Sequence, residues 1–235
     1  MDDGAAGVEF DVRLARDGVP VVIHDATLRR TGLREGVVAS LTSNELGQTD
    51  VGSWFNRTHP LLARSEYNHQ FVPTLKQVFD IFQQRPTPPG AIYVEMKTER
   101  AEDTHSDLAR AIAQLVKEHH LPGRVVVVSF NLKAIAQLKK LEPAISTGAL
   151  FEPRRNLLKT LRKHPMITAA LECGADQILL HRLIATRRLV DLAWANNVRP
   201  VVWTVDDANW MRRRASYGIH AVITNDPAQM TMAVV

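Results

Sequence analysis

Short runs of β-branched and other apolar residues alternate with longer segments of helical periodicity along most of this sequence. Between the apolar runs at 91–96 and 124–129, for example, residues 107–119 carry apolar side chains at helical spacing. Strands separated by such helices pair in parallel, because a parallel neighbour needs a crossover of a dozen or more residues. The alternation therefore predicts an α/β fold. Its seven predicted strands are one around Glu9 and those at 91–96, 124–129, 145–151, 177–180, 200–204 and 221–224.

The length of the chain and the number of strands favour a single barrel domain. Its 235 residues, of which 45% are hydrophobic, can bury one large core. Seven strand–helix units are one short of the eight that close a (β/α) barrel. Residues 33–70 are rich in Asn, Gly, Ser and Thr and are too long for a simple connection. We therefore predict one domain over residues 1–235, with an insertion at about 33–70 over the mouth of the barrel.

Two carboxylates on the first strand are the strongest chemical signal. The strand reads G-V-E-F-D-V, so Glu9 and Asp11 project from the same face. Neighbouring carboxylates repel each other unless a positive charge lies between them, and oxygen ligands suit Mg²⁺ or Ca²⁺. For an isolated pair, the solvated face of an amphipathic strand is the commoner explanation. The residues that follow favour a metal site instead.

A turn and a histidine come directly after this strand. Asp17-Gly18 lies between two β-branched runs, which predicts a hairpin that returns residues 21–23 along the first strand. His24 would then lie toward the carboxylates, where an imidazole can donate or accept a proton near neutral pH. The alternative is a surface histidine at the end of a strand.

Three side chains at the ends of later strands extend the predicted site. Glu95 and Lys97 share one face at the carboxyl end of a strand that is apolar enough to be buried on both sides. Active sites of barrel enzymes form at that end of the strands. Trp203 ends a run of valines, where a tryptophan can pack in the core, line a pocket, or do both.

Taken in order, the motifs of this chain resemble those of the glycerophosphodiester phosphodiesterases. They are G-V-E-F-D-V, D-G-V-P-V-V-I-H-D-A-T-L-R-R-T, V-P-T-L-K-Q-V, Y-V-E-M-K, V-V-V-S-F-N, V-W-T-V-D-D and G-I-H-A-V-I-T-N-D-P, and they span nearly the whole chain. The resemblance implies a TIM-type (β/α) barrel of the phospholipase C-like phosphodiesterase kind. It also implies a phosphoric diester hydrolase that converts glycerophosphodiesters to sn-glycerol 3-phosphate and an alcohol, in lipid and glycerol metabolism.

The same resemblance implies roles for individual residues. Three carboxylates would hold one divalent cation, Mg²⁺ or Ca²⁺, and these are Glu9, Asp11 and Glu95. His24 would be one of two catalytic histidines that share the proton transfers. Lys97 would lie near the phosphate, as a catalytic and substrate-binding residue, and Trp203 would line the substrate pocket.

One part of the family pattern has no counterpart in this sequence. The family begins with a strand bearing H-R-G and an E-N-T element, whereas His181-Arg182-Leu183 lacks the glycine and lies in another part of the chain. We therefore expect a barrel without its first β/α unit, in which one catalytic histidine is absent and activity is in doubt. A unit encoded upstream of Met1 would restore the site.

Two other functions stay open at this point. The chain could be a catalytically impaired relative that binds metal and phosphodiester without efficient turnover. It could also be a lysophospholipase D-like enzyme at a membrane surface, for which an exposed apolar stripe in the insertion is expected. The candidates for that stripe are Trp54, Phe55, Leu61 and Leu62.

The charge pattern argues against a nucleic-acid-binding protein. The net charge is +4, but basic pairs such as Arg187-Arg188 are scattered and no aromatic residues are interleaved with them. No apolar run is long enough to cross a bilayer. We expect a small-molecule glycerophosphodiester as the partner and a cytoplasmic protein, with an upstream leader left open. A homo-oligomer is also left open, because strands beside a gap in the barrel would have unpaired edges.

Overall fold

In the computed structural model, strands and helices alternate as predicted over the described residues, which are 4–84, 90–98, 102–153 and 163–232. The strands form one eight-stranded sheet in the order β2-β1-β3-β4-β5-β6-β7-β8. Their bounds are β1 Gly7–Leu14, β2 Pro20–Val22, β3 Ala91–Met96, β4 Val125–Ser129, β5 Ser146–Phe151, β6 Gln177–His181, β7 Arg199–Trp203 and β8 Ala221–Val222.

Helices follow most of these strands, and two of them begin directly after the capping residues that their sequences predict. The Asn131 side chain accepts hydrogen bonds from two amides in the first turn of one helix, and the Thr186 side chain accepts one from the Leu189 amide in another. No helix among the described residues is long and apolar enough to span a membrane. The helices are α1 Ser43–Leu46, α2 Ser53–Thr58, α3 Leu75–Gln84, α4 Glu102–Glu118, α5 Leu132–Leu141, α6 Lys163–Glu172, α7 Arg187–Ala195, α8 Asn209–Tyr217 and α9 Pro227–Met232.

Contacts divide the chain into two compact units. Unit 1 comprises Met1–Glu9, Pro89–Val94 and Pro122–Val235, and unit 2 comprises Phe10–Pro88 and Glu95–Leu121. In unit 1, strands β4 to β8 pair in parallel, each with the next. One face of these strands packs against the helices through a cluster that includes Ile178, Leu180 and Val202, all fully buried. Burial of this face provides the main stabilisation of unit 1.

Unit 2 contains the predicted hairpin. The Gly18 amide donates to the Ala15 carbonyl at 3.0 Å, and β1 and β2 pair antiparallel with Val12 opposite Val22. The other edge of β2 is covered as well, because the Val22 amide donates to the Pro73 carbonyl at 2.8 Å and Val21 bridges to Thr74. The Ile23 amide donates to the Asp11 carbonyl at 3.0 Å, which fixes the start of the following loop against β1.

The insertion at 33–70 is built from short helices and single turns around an aromatic cluster. The rings of Phe55 and His59 stack with centroids 4.7 Å apart, and Trp54 and Tyr67 meet this pair edge-on. Beyond the cluster, Leu61 is 99% exposed. Of the four candidates for an exposed apolar stripe, Trp54 and Phe55 are half-buried within the insertion, whereas Leu61 and Leu62 are exposed.

A buried glycine on β5 provides a test of packing in unit 1. A β-carbon at Gly148 would overlap the Leu179 side chain and lie 3.0 Å from Val128 Cγ1, and both neighbours are buried. We expect Gly148→Ala to lower the free energy of unfolding in urea by about 1–3 kcal/mol, because the core must shift to admit the methyl group. Gly123→Ala, which adds a methyl group in open space, is the matched control, and an equal loss in both variants would contradict the packing argument.

Candidate active site

Three carboxylates come together at the first and third strands of the sequence. Strand β1 runs without interruption through Glu9 and Asp11, so the alternation of side chains places both on one face. Glu95 lies near the end of β3 and is 8% exposed. Each of the three residues offers one ligand oxygen, and these oxygens all lie within 4.8 Å of one another. The predicted acidic cluster is therefore present in the structure.

Lys97 lies between two of these carboxylates. Its Nζ is 3.1 Å from Asp11 Oδ1 and 2.5 Å from Glu95 Oε1, and its amide donates to the Val12 carbonyl at 2.9 Å. The backbone contact with β1 and the ion pairs at the tip hold the lysine at both ends. The ammonium thus lies beside the carboxylates, where an anionic substrate that reached the cluster would meet it.

For Glu95 and Lys97, burial shifts the pKa in one direction and the charge of the other residue shifts it in the opposite direction. Burial raises the pKa of Glu95, because desolvation disfavours the carboxylate, and the adjacent ammonium opposes this effect only in part. Burial alone would lower the pKa of Lys97, but the hydrogen bond and charge of Glu95, together with the charge of Asp11, raise it. The lysine therefore stays protonated, and the cluster favours any further positive charge.

The cluster fits a hard divalent cation. Two oxygens bound to the same Mg²⁺ or Ca²⁺ lie at most about 5 Å apart, since each bond is about 2.0–2.6 Å long. The oxygens of Glu9, Asp11 and Glu95 satisfy that limit. When all three carboxyl groups are ionised, they and the one ammonium leave two negative charges, which one divalent cation balances. Oxygen-only ligands also match the preference of these ions over softer metals.

His24 is exposed on the loop that follows β2, in the same unit as Asp11 and Glu95. His24 Nδ1 lies 2.6 Å from Asp25 Oδ1, and Arg30 donates to both oxygens of the same carboxylate, at 2.6 Å and 3.1 Å. Hydrogen bonding from Arg30, followed by that from His24, lowers the pKa of Asp25 to about 2 despite partial burial. The sequence motifs assign no role to Asp25 or Arg30, although both lie within H-D-A-T-L-R-R.

Trp203 ends β7 in unit 1, as predicted. Its ring meets Phe130 and His181 edge-on, with centroids 5.5 Å and 5.1 Å away. The buried indole Nε1 has no hydrogen-bond partner among the described residues. A buried donor without a partner is costly, so it is suited to a ligand oxygen. Packing and pocket lining are therefore both compatible with this tryptophan.

Comparisons with known proteins identify the family of this chain. The sequence model of the glycerophosphoryl diester phosphodiesterase family matches residues 1–229. A glycerophosphodiester phosphodiesterase of Caldanaerobacter subterraneus is 28% identical over 227 residues, covering 97% of this chain and 85% of the relative. The enzyme of that name from Bacillus subtilis is also 28% identical, over 231 residues that cover 94% of this chain and 73% of the relative.

Solved structures of similar proteins share the fold of this chain. A putative glycerophosphoryl diester phosphodiesterase of Silicibacter pomeroyi superposes with a TM-score of 0.84 at 23% identity, covering 97% of this chain and 82% of that one. A phosphodiesterase of Oleispira antarctica, solved with the product sn-glycerol-3-phosphate, gives 0.80 at 24% identity, with 99% and 86% covered. They confirm the predicted TIM-type (β/α) fold. The chain belongs to the glycerophosphoryl diester phosphodiesterase family and thus to the phosphoric diester hydrolases.

Proposed function

We propose that this chain hydrolyses glycerophosphodiesters to sn-glycerol 3-phosphate and an alcohol, with the help of one divalent cation. The observation that carries the proposal is the group of three carboxylate oxygens within 4.8 Å of one another, with the Lys97 ammonium beside two of them. A cation and a lysine at one place form a binding site for a phosphodiester anion. The names of the bacterial relatives and the product bound to the Oleispira enzyme support the same substrate class.

Each residue of the site has a role in this proposal. Glu9, Asp11 and Glu95 would hold Mg²⁺ or Ca²⁺, which would supply positive charge to neutralise the phosphodiester and activate the attacking oxygen. Lys97 binds a non-bridging oxygen of the phosphate. His24 gives or takes the proton at a bridging oxygen as the bond to phosphorus breaks or forms. Family resemblance suggests that the adjacent glycerol hydroxyl attacks first and that water then opens the cyclic phosphate.

Trp203 has a supporting role in the proposal. Its ring would provide an apolar wall for the glycerol or alcohol group, and its Nε1 would donate to a substrate oxygen. Such a contact affects the Michaelis constant more than the turnover number, because it is made equally in the bound substrate and in the transition state.

The function is tested by product analysis with and without metal. The purified chain, stripped with a chelator, is incubated with glycerophosphocholine and glycerophosphoethanolamine, and glycerol 3-phosphate is measured by an enzyme-coupled assay. We expect release of glycerol 3-phosphate on addition of Mg²⁺ or Ca²⁺ and none in the chelator. Binding of glycerol 3-phosphate without any turnover in the presence of metal would favour the impaired, binding-only relative instead.

A second candidate, a lysophospholipase D-like enzyme at a membrane surface, is favoured by the exposed tip of the insertion. Leu61 and Leu62 are 99% and 63% exposed on one short turn, and Arg57 and Arg64 lie on either side in sequence. This function predicts faster release from lysophosphatidylcholine in vesicles than from soluble glycerophosphocholine. It also predicts that Leu61→Asp slows only the vesicle reaction. Equal rates for Leu61→Asp and the unchanged chain on vesicles would exclude a role for this tip.

A further inference from the structure

The loop after β2 holds His24 in a chain of three charged or ionisable groups. Asp25 accepts from Arg30 Nε at 2.6 Å through Oδ2 and from Arg30 Nη2 at 3.1 Å through Oδ1. The same Oδ1 lies 2.6 Å from His24 Nδ1. The carboxylate therefore contacts the guanidinium on one side and the imidazole on the other.

Contacts on either side keep this chain of groups in place. The Arg30 guanidinium carbon lies 5.1 Å from the centre of the Trp54 ring, a cation–π distance. Arg13 Nε donates to the His24 carbonyl at 2.9 Å, so the histidine backbone is also held. The side chain of Asp25 is 22% exposed, whereas that of His24 is 60% exposed. The carboxylate is thus shielded while the far edge of the imidazole remains accessible.

This arrangement selects one form of the imidazole. An ionised carboxylate can only accept hydrogen bonds, and Arg30 can only donate them. His24 Nδ1 must therefore carry a hydrogen to bond Asp25. In the neutral ring, the lone pair is then on Nε2, and in the charged ring, the proton available to the substrate is also on Nε2. Either direction of proton transfer uses the same atom.

We propose that Asp25, held by Arg30, is a positioning residue that fixes the tautomer and ring orientation of His24, so that Nε2 exchanges the proton with the substrate. The identity of the reaction rests on the function proposed above, whereas the choice of tautomer does not. Trp54 takes part indirectly, since it packs on the guanidinium that aligns Asp25.

Asp25→Asn is the decisive change, because it keeps the size of the side chain but alters its donors and acceptors. With Arg30 donating to the amide oxygen, the NH₂ group of the asparagine faces His24 Nδ1 and favours a hydrogen on Nε2 instead. Asp80→Asn is the matched control: Asp80 Oδ1 lies 3.0 Å from Nε2 of another histidine, His119, in the same unit. This substitution removes the carboxylate of an aspartate–histidine pair that lies outside the loop of His24.

The first measurement needs no catalysis. Long-range ¹H–¹⁵N NMR spectra of the ¹⁵N-histidine-labelled chain, recorded well above the ordinary imidazole pKa, identify the tautomer, and His24→Gln assigns the signals. We expect the Nδ1–H form in the unchanged chain and in Asp80→Asn, and loss of that preference in Asp25→Asn. An unchanged His24 tautomer in Asp25→Asn would overturn the proposal. If Asp25→Asn does not fold, Arg30→Lys, which keeps the charge but not the paired contact, is expected to weaken the preference, and no weakening would likewise overturn it.

The second measurement uses two substrates that differ in their leaving group. With glycerophosphocholine, we expect Asp25→Asn to lower kcat by about 10²-fold or more, as loss of an oriented proton donor does, with little change in KM. If His24 protonates the departing alkoxide, the defect should shrink with a glycerol 4-nitrophenyl phosphate, whose leaving group needs no proton. If His24 is the base, the defect should be equal for both. Full activity of Asp25→Asn on both substrates would overturn the proposal, whereas a changed tautomer with no turnover in any variant would support the positioning role and contradict the proposed function.

Discussion

Glu95→Gln is expected to lower the affinity of the chain for Mg²⁺ and Ca²⁺ by at least about 100-fold, because even the outer partners of metal ligands are worth about 10–100-fold. The change removes a charge from a buried carboxylate and leaves the Lys97 ammonium, 2.5 Å away, without its nearest counter-ion. Isothermal titration calorimetry on metal-stripped protein measures the effect directly and does not depend on turnover. Hydrolysis should fall together with affinity and should not recover at saturating substrate.

Glu118→Gln is the control for this experiment. Glu118 ends α4 in the same unit and accepts a hydrogen bond from Gln114 at 2.8 Å, away from the carboxylate cluster. The Glu118→Gln substitution replaces a carboxylate by an amide, as Glu95→Gln does, but leaves all three proposed metal ligands unchanged. Metal affinity that is equal in Glu95→Gln and in the unchanged chain would remove Glu95 from the site and contradict the proposed three-carboxylate cation site.

His24→Ala is expected to lower the rate of glycerophosphodiester hydrolysis by about 10²–10⁴-fold, which is the usual contribution of one general acid or base. Substrate and metal binding should change little, because the carboxylates and Lys97 are untouched. Turnover and the dissociation constant of glycerol 3-phosphate are measured on the same preparations. A normal rate in His24→Ala would show that the proton transfers occur elsewhere.

Two further variants test whether the effect of His24→Ala is specific. His220→Gln changes another exposed histidine, located just before β8 in unit 1, and should leave the rate unchanged. The second is the chain extended upstream of Met1 with a strand that bears H-R-G and the helix that follows it in the family pattern. If the family pattern holds, the extension should raise turnover by about 10²-fold or more, and His24→Ala should remove most of that gain.

Much of the fold could be predicted because the sequence carries strong periodic signals. The run of valines at 125–128 is buried along its whole length, and the predicted β4 differs from the observed strand by one residue. The predicted ends of helices and strands are less accurate where the sequence has no apolar residues to mark them. Helix α4 begins at Glu102, five residues before its predicted start, because its first turn is polar. Strand β8 is two residues long instead of four, and beyond it the Thr224 hydroxyl donates to Asp206 on a different loop.

The site was predictable where it follows strand geometry and less so where side chains meet across loops. Alternation along β1 is enough to place Glu9 and Asp11 on one face. The bond from Arg30 to Asp25 is different, because it joins two residues of an irregular loop, where no periodicity relates sequence spacing to direction. The packing of Trp54 on Arg30 could not be predicted for the same reason, since one belongs to the insertion and the other to the loop after β2.

The contacts along the outer side of β2 bear on how copies of this chain can meet. The Val22 amide is already bonded to Pro73, and Val21 is bridged to Thr74, so these groups are occupied before another molecule arrives. A strand from a second chain finds few partners there, which removes the template on which β-structure grows from one molecule to the next. Contacts between two copies at this edge then involve side chains only, and such complexes can dissociate. At high protein concentration, copies that meet at this edge are therefore expected to separate again instead of forming permanent aggregates.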